Sequence, residues 1–231
     1  MTIYLHKYLD DFYHLKISQK DIMECENISR NDLRKDIKNA GILTPQQWRG
    51  KINTGIKELD KKLNEIYSGI ATRCNGNTND KYKLKVYNGL DYLSIIEWVE
   101  FCNNNKDKLL TIWRNYLDNN KEAKYMISID RIDNDKGYIL DNIQFVSFGF
   151  NSWKRNINPL RVCKENNEWE YFMSGEEASK YYNIRRQSIG DLLRGQHREI
   201  SNVYKVEEST TKEVLFHNNI QSLEEYYNKQ I

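Results

Sequence analysis

The sequence predicts an α+β protein, mainly α, and three patterns predict it. Apolar residues recur at Ile56, Leu59, Leu63, Ile66 and Ile70, a three-and-four spacing that puts them on one helical face. Two short β-like runs, residues 126–129 and 143–146, flank a polar loop containing Gly137. Paired helical stretches joined by short turns stand near both ends. With 35 basic and 33 acidic residues, a net charge of +2 and 39% hydrophobic content, the chain has apolar surface for small cores and is not of the disordered class. At 231 residues, several small modules are expected rather than one large core, with boundaries giving 1–54, 55–158, 159–210 and 211–231.

Residues 1–54 read as a helical module. Ser18 is placed to cap a helix through Asp21, Ile22 and Met23, and a second helix starts within residues 28–37 after a short turn. Ile22, Ile28, Leu33 and Ile37 are spaced to bury one face, and Gly41 supplies a stop. The pattern resembles a helix-turn-helix, whose second helix enters the major groove of DNA. On that resemblance Arg30, Asn31, Arg34 and Lys35, with Ser29, face bases or phosphates. An ordinary helical hairpin with surface charge accounts for the same spacing.

Residues 56–70 form the amphipathic helix named above, and 75–80 a polar loop. Residues 92–102 read as a helix with Ile95, Ile96, Val99 and Phe101 available to pack. Residues 109–117 read as another, with Ile112, Trp113 and Tyr116. Both would scaffold the short strand pair that follows, which buries too little apolar surface alone.

The most specific stretch is Ser128-Ile129-Asp130-Arg131-Ile132-Asp133-Asn134-Asp135-Lys136-Gly137-Tyr138. It is continued by Asp141-Asn142-Ile143-Gln144-Phe145-Val146 and Asn151-Ser152-Trp153-Lys154. An acid-base pair ends a strand, a loop turns at Gly137, a second strand follows, and Asn151 and Lys154 share one face of a short helix. This order resembles the ββα-metal nuclease motif, usually called HNH. The match is closest to its phage and homing-endonuclease subgroup, and the separations of 12 and 9 residues from Asp130 to Asn142 and on to Asn151 fit it. The lead-in, with Ile66, Tyr67, Arg73, Cys74, Tyr87, Asn88 and Gly89, extends the resemblance over residues 64–155.

The resemblance implies a ββα-metal nuclease core flanked by small helix-turn-helix-like modules. It implies a DNA endonuclease in which Asp130 and Asn151 hold one Mg²⁺ or Mn²⁺, oxygen ligands suiting those ions. Asn142 would brace the loop, and Lys154 and Arg155 would track the DNA backbone. The chain departs from the parent motif at Arg131, which stands where the first His is found. Arginine is no base near neutral pH, its pKa staying above about 12, yet it can grip a scissile phosphate bidentately. The proton acceptor stays open among metal-activated water, Asp133 and Tyr138.

Two plainer readings of the loop are weaker. In an EF-hand register with Gly137 at loop position 6, Ile132, Lys136 and Ile143 would stand where oxygen ligands are needed. A simple turn explains Gly137 and Asp135 but gives no reason for Asp130, Asn142 and Asn151 together.

After Pro159, residues 161–163 and 168–172 alternate like a two-stranded piece. Ser174 with Glu177 carries the capping-box signature, opening a helix through Tyr182. A turn at Asn183 and Ile184 leads to a second helix that ends at Gly195. Residues 160–206 resemble the modular helix-turn-helix units appended to homing endonucleases. That implies base reading by Arg185, Arg186, Gln187 and Ser188 and phosphate contact by Arg194 and Arg198. Phe172 and Tyr181-Tyr182-Asn183 are echoed by Phe216 and Tyr226-Tyr227-Asn228, a partial repeat expected to pack as a cap.

Cys25, Cys74, Cys102 and Cys163 are widely spaced with no C-x-x-C pair, so no structural zinc is expected and free thiols are. No apolar segment has the length of a signal peptide or membrane span, and a cytoplasmic protein of a bacterial or phage-infected cell is expected. The partner expected is double-stranded DNA, without a membrane. A double-strand cut would need two copies to meet, as in a homodimer, since each chain carries one site. The rival reading is a sequence-specific DNA-binding regulator that keeps an inactive HNH fold. RNA cleavage is a weaker third.

Overall fold

Ser18, Ser29, Thr44, Asp80 and Ser94 each accept a hydrogen bond from a backbone amide two or three residues ahead, and each opens a helix. Such caps satisfy amides that the first helical turn leaves without partners. The computed structural model describes residues 3–164, 168–196 and 203–230. It is α+β and mainly helical, as the patterning predicts. It divides into two compact units, Met1–Phe148 and Gly149–Ile231, and the division falls inside a helix.

The first unit contains α1 (Ile3–Tyr13), α2 (Gln19–Glu26), α3 (Arg30–Asn39), α4 (Pro45–Arg49), α5 (Lys57–Cys74), α6 (Lys81–Tyr87), α7 (Ile95–Asn104), α8 (Lys106–Asp118), β1 (Ile127–Arg131) and β2 (Ile143–Ser147). Helices α1, α4 and α6 are additional to the expected ones. Helix α1 closes the N-terminal core: Leu5, Tyr8 and Phe12 join Ile22, Leu33 and Ile37. Tyr13, Leu15 and Trp48 pack on the main core, and the Tyr67 hydroxyl donates to the Tyr13 carbonyl at 3.0 Å. Helix α7 starts at Ile95 rather than 92. Ser94 and Glu97 cap it reciprocally, and Tyr92 instead bridges Tyr138.

Strands β1 and β2 pair antiparallel, with Ile129 opposite Phe145 and Asp130 opposite Gln144. Alternation sends Ile127, Ile129, Ile143 and Phe145 into the core formed by α5, α7 and α8. Phe145 meets Trp98 edge-on at 5.6 Å and Phe101 at 4.9 Å. That packing anchors the hairpin that carries the candidate site.

The second unit contains α9 (Phe148–Lys154, from Gly149 onward), β3 (Leu160–Lys164), β4 (Trp169–Phe172), α10 (Gly175–Tyr181), α11 (Arg186–Leu193), β5 (Val203–Glu208), α12 (Thr211–His217) and α13 (Leu223–Gln230). The two-stranded piece expected here has a third member, with β3 lying between β4 and β5. Leu160, Val162, Val203 and Val206 of the sheet pack against Ala178, Ile189 and Leu192 of α10 and α11. The expected capping box at Ser174 is half formed. Ser174 accepts from the Glu177 amide, but the Glu177 carboxylate takes the Met173 amide at 2.9 Å and the Tyr226 hydroxyl at 2.5 Å. The echo around Phe216 is one of sequence alone: Phe172 ends a strand and is buried, whereas Phe216 lies on α12 and is 79% exposed. Tyr226 does pack inward, with Met173 and Val214.

Candidate functional site

Asp130 and Arg131 end β1 with their side chains on opposite faces, as neighbours on a strand must. Asp130 is buried on the face it shares with Gln144, whose amide donates to the carboxylate at 3.0 Å. Arg131 turns the other way. It is 7% exposed, donates to the Lys136 carbonyl at 2.8 Å, and lies over the rings of Tyr87 at 5.0 Å and Tyr138 at 5.3 Å. The guanidinium thereby braces the loop that follows β1.

Asn142 ties that loop together. Its side-chain amide donates to the carbonyls of Asp133 and Gly137, both at 2.9 Å, and its carbonyl accepts from the Asp133 amide at 2.8 Å. Its backbone carbonyl accepts from Ile132 at 2.8 Å and prolongs the ladder. The far side of the loop is stitched to the segment before α7, Tyr138 donating to Asp91 and Leu93 to Tyr138.

The two side-chain candidates for proton acceptor differ in environment. Asp133 is half-buried. The Asp135 amide, at 3.0 Å, holds its carboxyl below the usual aspartate range; burial opposes this, and Lys136 and Arg131 assist. Burial raises the Tyr138 phenol above its ordinary value, against the pull of Arg73, whose guanidinium donates to its oxygen at 3.3 Å. A phenol so raised stays protonated near neutral pH and is a poor base.

Asp130, Arg131, Asp133, Tyr138 and Asn142 thus gather on one hairpin of the first unit. Asn151 and Lys154, half-buried on α9, and Arg155, exposed after it, belong to the second unit. Among the described residues, no three His, Cys, Asp or Glu side chains could jointly hold a metal. Mg²⁺ commonly takes only one or two carboxylates, with water and substrate phosphate completing its shell. A single buried carboxylate beside neutral amides fits that requirement. Cys25, Cys74, Cys102 and Cys163 are free thiols.

The candidate DNA readers are on helices. Arg30, Asn31, Arg34 and Lys35 are exposed on α3, behind the Ser29 cap and the left-handed Asn27 that turns the chain between α2 and α3. In the second unit Asn183, with φ of 52°, makes the corresponding turn. Arg185, Arg186 and Gln187 are exposed and Ser188 is half-buried at the start of α11. A cleft of about 460 Å³ runs beside them, lined by Asn156, Ser174, Arg186, Gln187 and Arg194. Arg194 also pairs with Asp191 at 2.6 Å. Arg198 lies outside the described residues.

Sequence reasoning named Gln144, Arg73 and Tyr87 as part of the resembling stretch but gave them no role, and it missed Asp91. Gln144 follows from strand register, which the long loop hides. The other three reach the site from α5, α6 and the segment before α7 through long-range contacts that spacing does not reveal. Among the described residues, no helix is long and apolar enough to cross a membrane. No protein-family model, no curated protein and no solved structure matches this chain.

Proposed function

We propose that this chain is a metal-dependent DNA endonuclease of the HNH, or ββα-metal, type, hydrolysing phosphodiester bonds at a specific site. The observation that supports it best is the hairpin itself. A buried carboxylate, Asp130, ends one strand beside an amide partner, and Asn142 knots the following loop through both faces of its side-chain amide. A plain turn needs neither feature. Asp130 is one ligand for Mg²⁺ or Mn²⁺ in this reading. When bound, such an ion supplies positive charge to the reacting phosphate and lowers the pKa of water.

The chain's own groups do the rest by position. Gln144 orients the Asp130 carboxylate. Asn142 fixes the loop, and Arg131 holds that loop from below while adding positive potential. Arg185, Arg186, Gln187 and Ser188 select sequence from one module, with Arg30, Asn31, Arg34 and Lys35 in the other; Lys154, Arg155 and Arg194 engage phosphates.

The test is cleavage of supercoiled plasmid by wild type and Asp130→Ala, each with Mg²⁺, Mn²⁺ or EDTA. Metal-dependent nicking or cutting that the substitution abolishes is expected. A second reading, a DNA-binding regulator on an inactive nuclease fold, is favoured by the burial of Arg131 in the place of the motif's histidine. It requires that neither protein cut and that both bind DNA equally with or without metal.

A further inference from the structure

Arg73 stands on the last turn of α5, where a basic side chain ordinarily does no more than complement the helix end. Its guanidinium does something more specific. It rests over the rings of Tyr87 at 5.4 Å and Tyr138 at 5.7 Å, the same two rings that carry Arg131. Those rings stack on each other at 6.3 Å and 28°. Two cations placed on one aromatic pair repel each other, so the arrangement favours an anion beside it.

Arg73 is the member of the pair that an anion can reach. Arg131 is 7% exposed and committed to the Lys136 carbonyl. Arg73 is half-exposed, and among the described residues it forms no ion pair. Its hydrogen-bond acceptor is a phenol oxygen at 3.3 Å, and its buried Nε has no acceptor. An aromatic support fixes a guanidinium plane without neutralising its charge, which leaves the fork ready for a bidentate oxyanion.

We propose that Arg73 contacts a DNA phosphate at this site, in the role that the motif assigns to Arg131, with Tyr87 and Tyr138 as its support. The inference rests on the nuclease reading above and names a phosphodiester group of duplex DNA as its ligand. Phosphate contact is independent of sequence, so the unidentified target is not needed to test it.

The experiment measures binding of a mixed-sequence DNA duplex in EDTA across a range of salt concentrations. It uses full-length wild type, Arg73→Gln and Arg73→Lys, with thermal melting as the folding control. Each lost phosphate contact lowers the magnitude of the slope of log K against log salt by about 0.9. Arg73→Gln is expected to show that loss at a wild-type melting temperature, and Arg73→Lys to keep the slope while binding more weakly. Wild-type slope and affinity in Arg73→Gln would overturn the inference alone and leave Arg73 a packing residue. A wild type that binds no duplex DNA, or prefers a matched RNA duplex, would overturn the DNA endonuclease reading and this inference with it.

Discussion

Gly137 lies so close to the Asp91 carbonyl that no side chain fits between them. A Cβ at position 137 would come within 2.0 Å of that oxygen and 2.9 Å of its carbon. The same oxygen accepts from the Tyr138 amide at 2.8 Å. The approach is therefore a condition for docking the loop onto the segment that leads into α7. Because the obstacle is backbone on both sides, no rotamer change relieves it.

Gly137→Ala is expected to destabilise the first unit by about 1–3 kcal/mol, the usual cost of overpacking. The melting temperature of that unit should fall by several degrees. Differential scanning calorimetry checks this, and an unchanged transition would refute the close approach.

The coarse class was legible in the sequence because it rests on periodicity. The stripe from Leu59 to Ile70 and the alternation around Ile129 and Phe145 specify helix and strands directly, and serine caps mark several helix starts. The order of strand, loop and strand in the hairpin was legible because it is local: Asp130, Asn142 and Gly137 lie within one short stretch. What was not legible came from long-range contact. The burial of Arg131 depends on Tyr87 from α6, and the third strand, Val203–Glu208, pairs with residues far earlier in the chain. Glu177 shows the same limit locally, since tertiary contact with Tyr226 redirects a carboxylate that spacing alone assigns to a capping box.

Asn142 makes three side-chain hydrogen bonds to the loop. Asn142→Ala should cost at least about 1–3 kcal/mol, because buried carbonyls and an amide lose their partners. Asn142→Asp should fail to rescue, since it replaces two donations to carbonyls with oxygen facing oxygen. Urea denaturation and faster hydrogen exchange at the Asp133 amide check both.

The Asp133 carboxyl is held low chiefly by the Asp135 amide, so the folded loop binds that proton more weakly than the unfolded chain does. Its contribution to loop order is full above the ordinary aspartate value of about 4 and is lost as pH falls through the lower, folded value. NMR titration of loop amides should show this acid transition in wild type and its absence in Asp133→Asn. Persistence of the transition in the variant would assign it to another group.

In the second unit, Arg185, Arg186 and Gln187 project from the start of α11 without burial. Alanine at Arg186 or Gln187 should relax sequence preference at one position by about 1–3 kcal/mol. Arg194→Ala should instead weaken binding uniformly across sequences. Selection of DNA targets from a randomised pool separates the two outcomes. Unchanged preference in all three variants would move base reading to α3.

Gln144 offers the sharpest probe of the metal-site reading, because it touches the proposed ligand Asp130 without being one. Its amide fixes one oxygen of Asp130 at 3.0 Å from the directly opposing position of the hairpin. A residue that orients a ligating carboxylate typically changes metal affinity 10–100-fold when removed. Gln144→Leu should therefore need more Mg²⁺ or Mn²⁺ for half-maximal cleavage, while saturating metal restores most of the rate. Gln144→Glu should be worse, since a second carboxylate opposes the first and removes the donor. A purely structural Gln144 would lower stability and leave the metal requirement unmoved. Titrating cleavage against metal concentration, with melting temperature measured alongside, distinguishes the two.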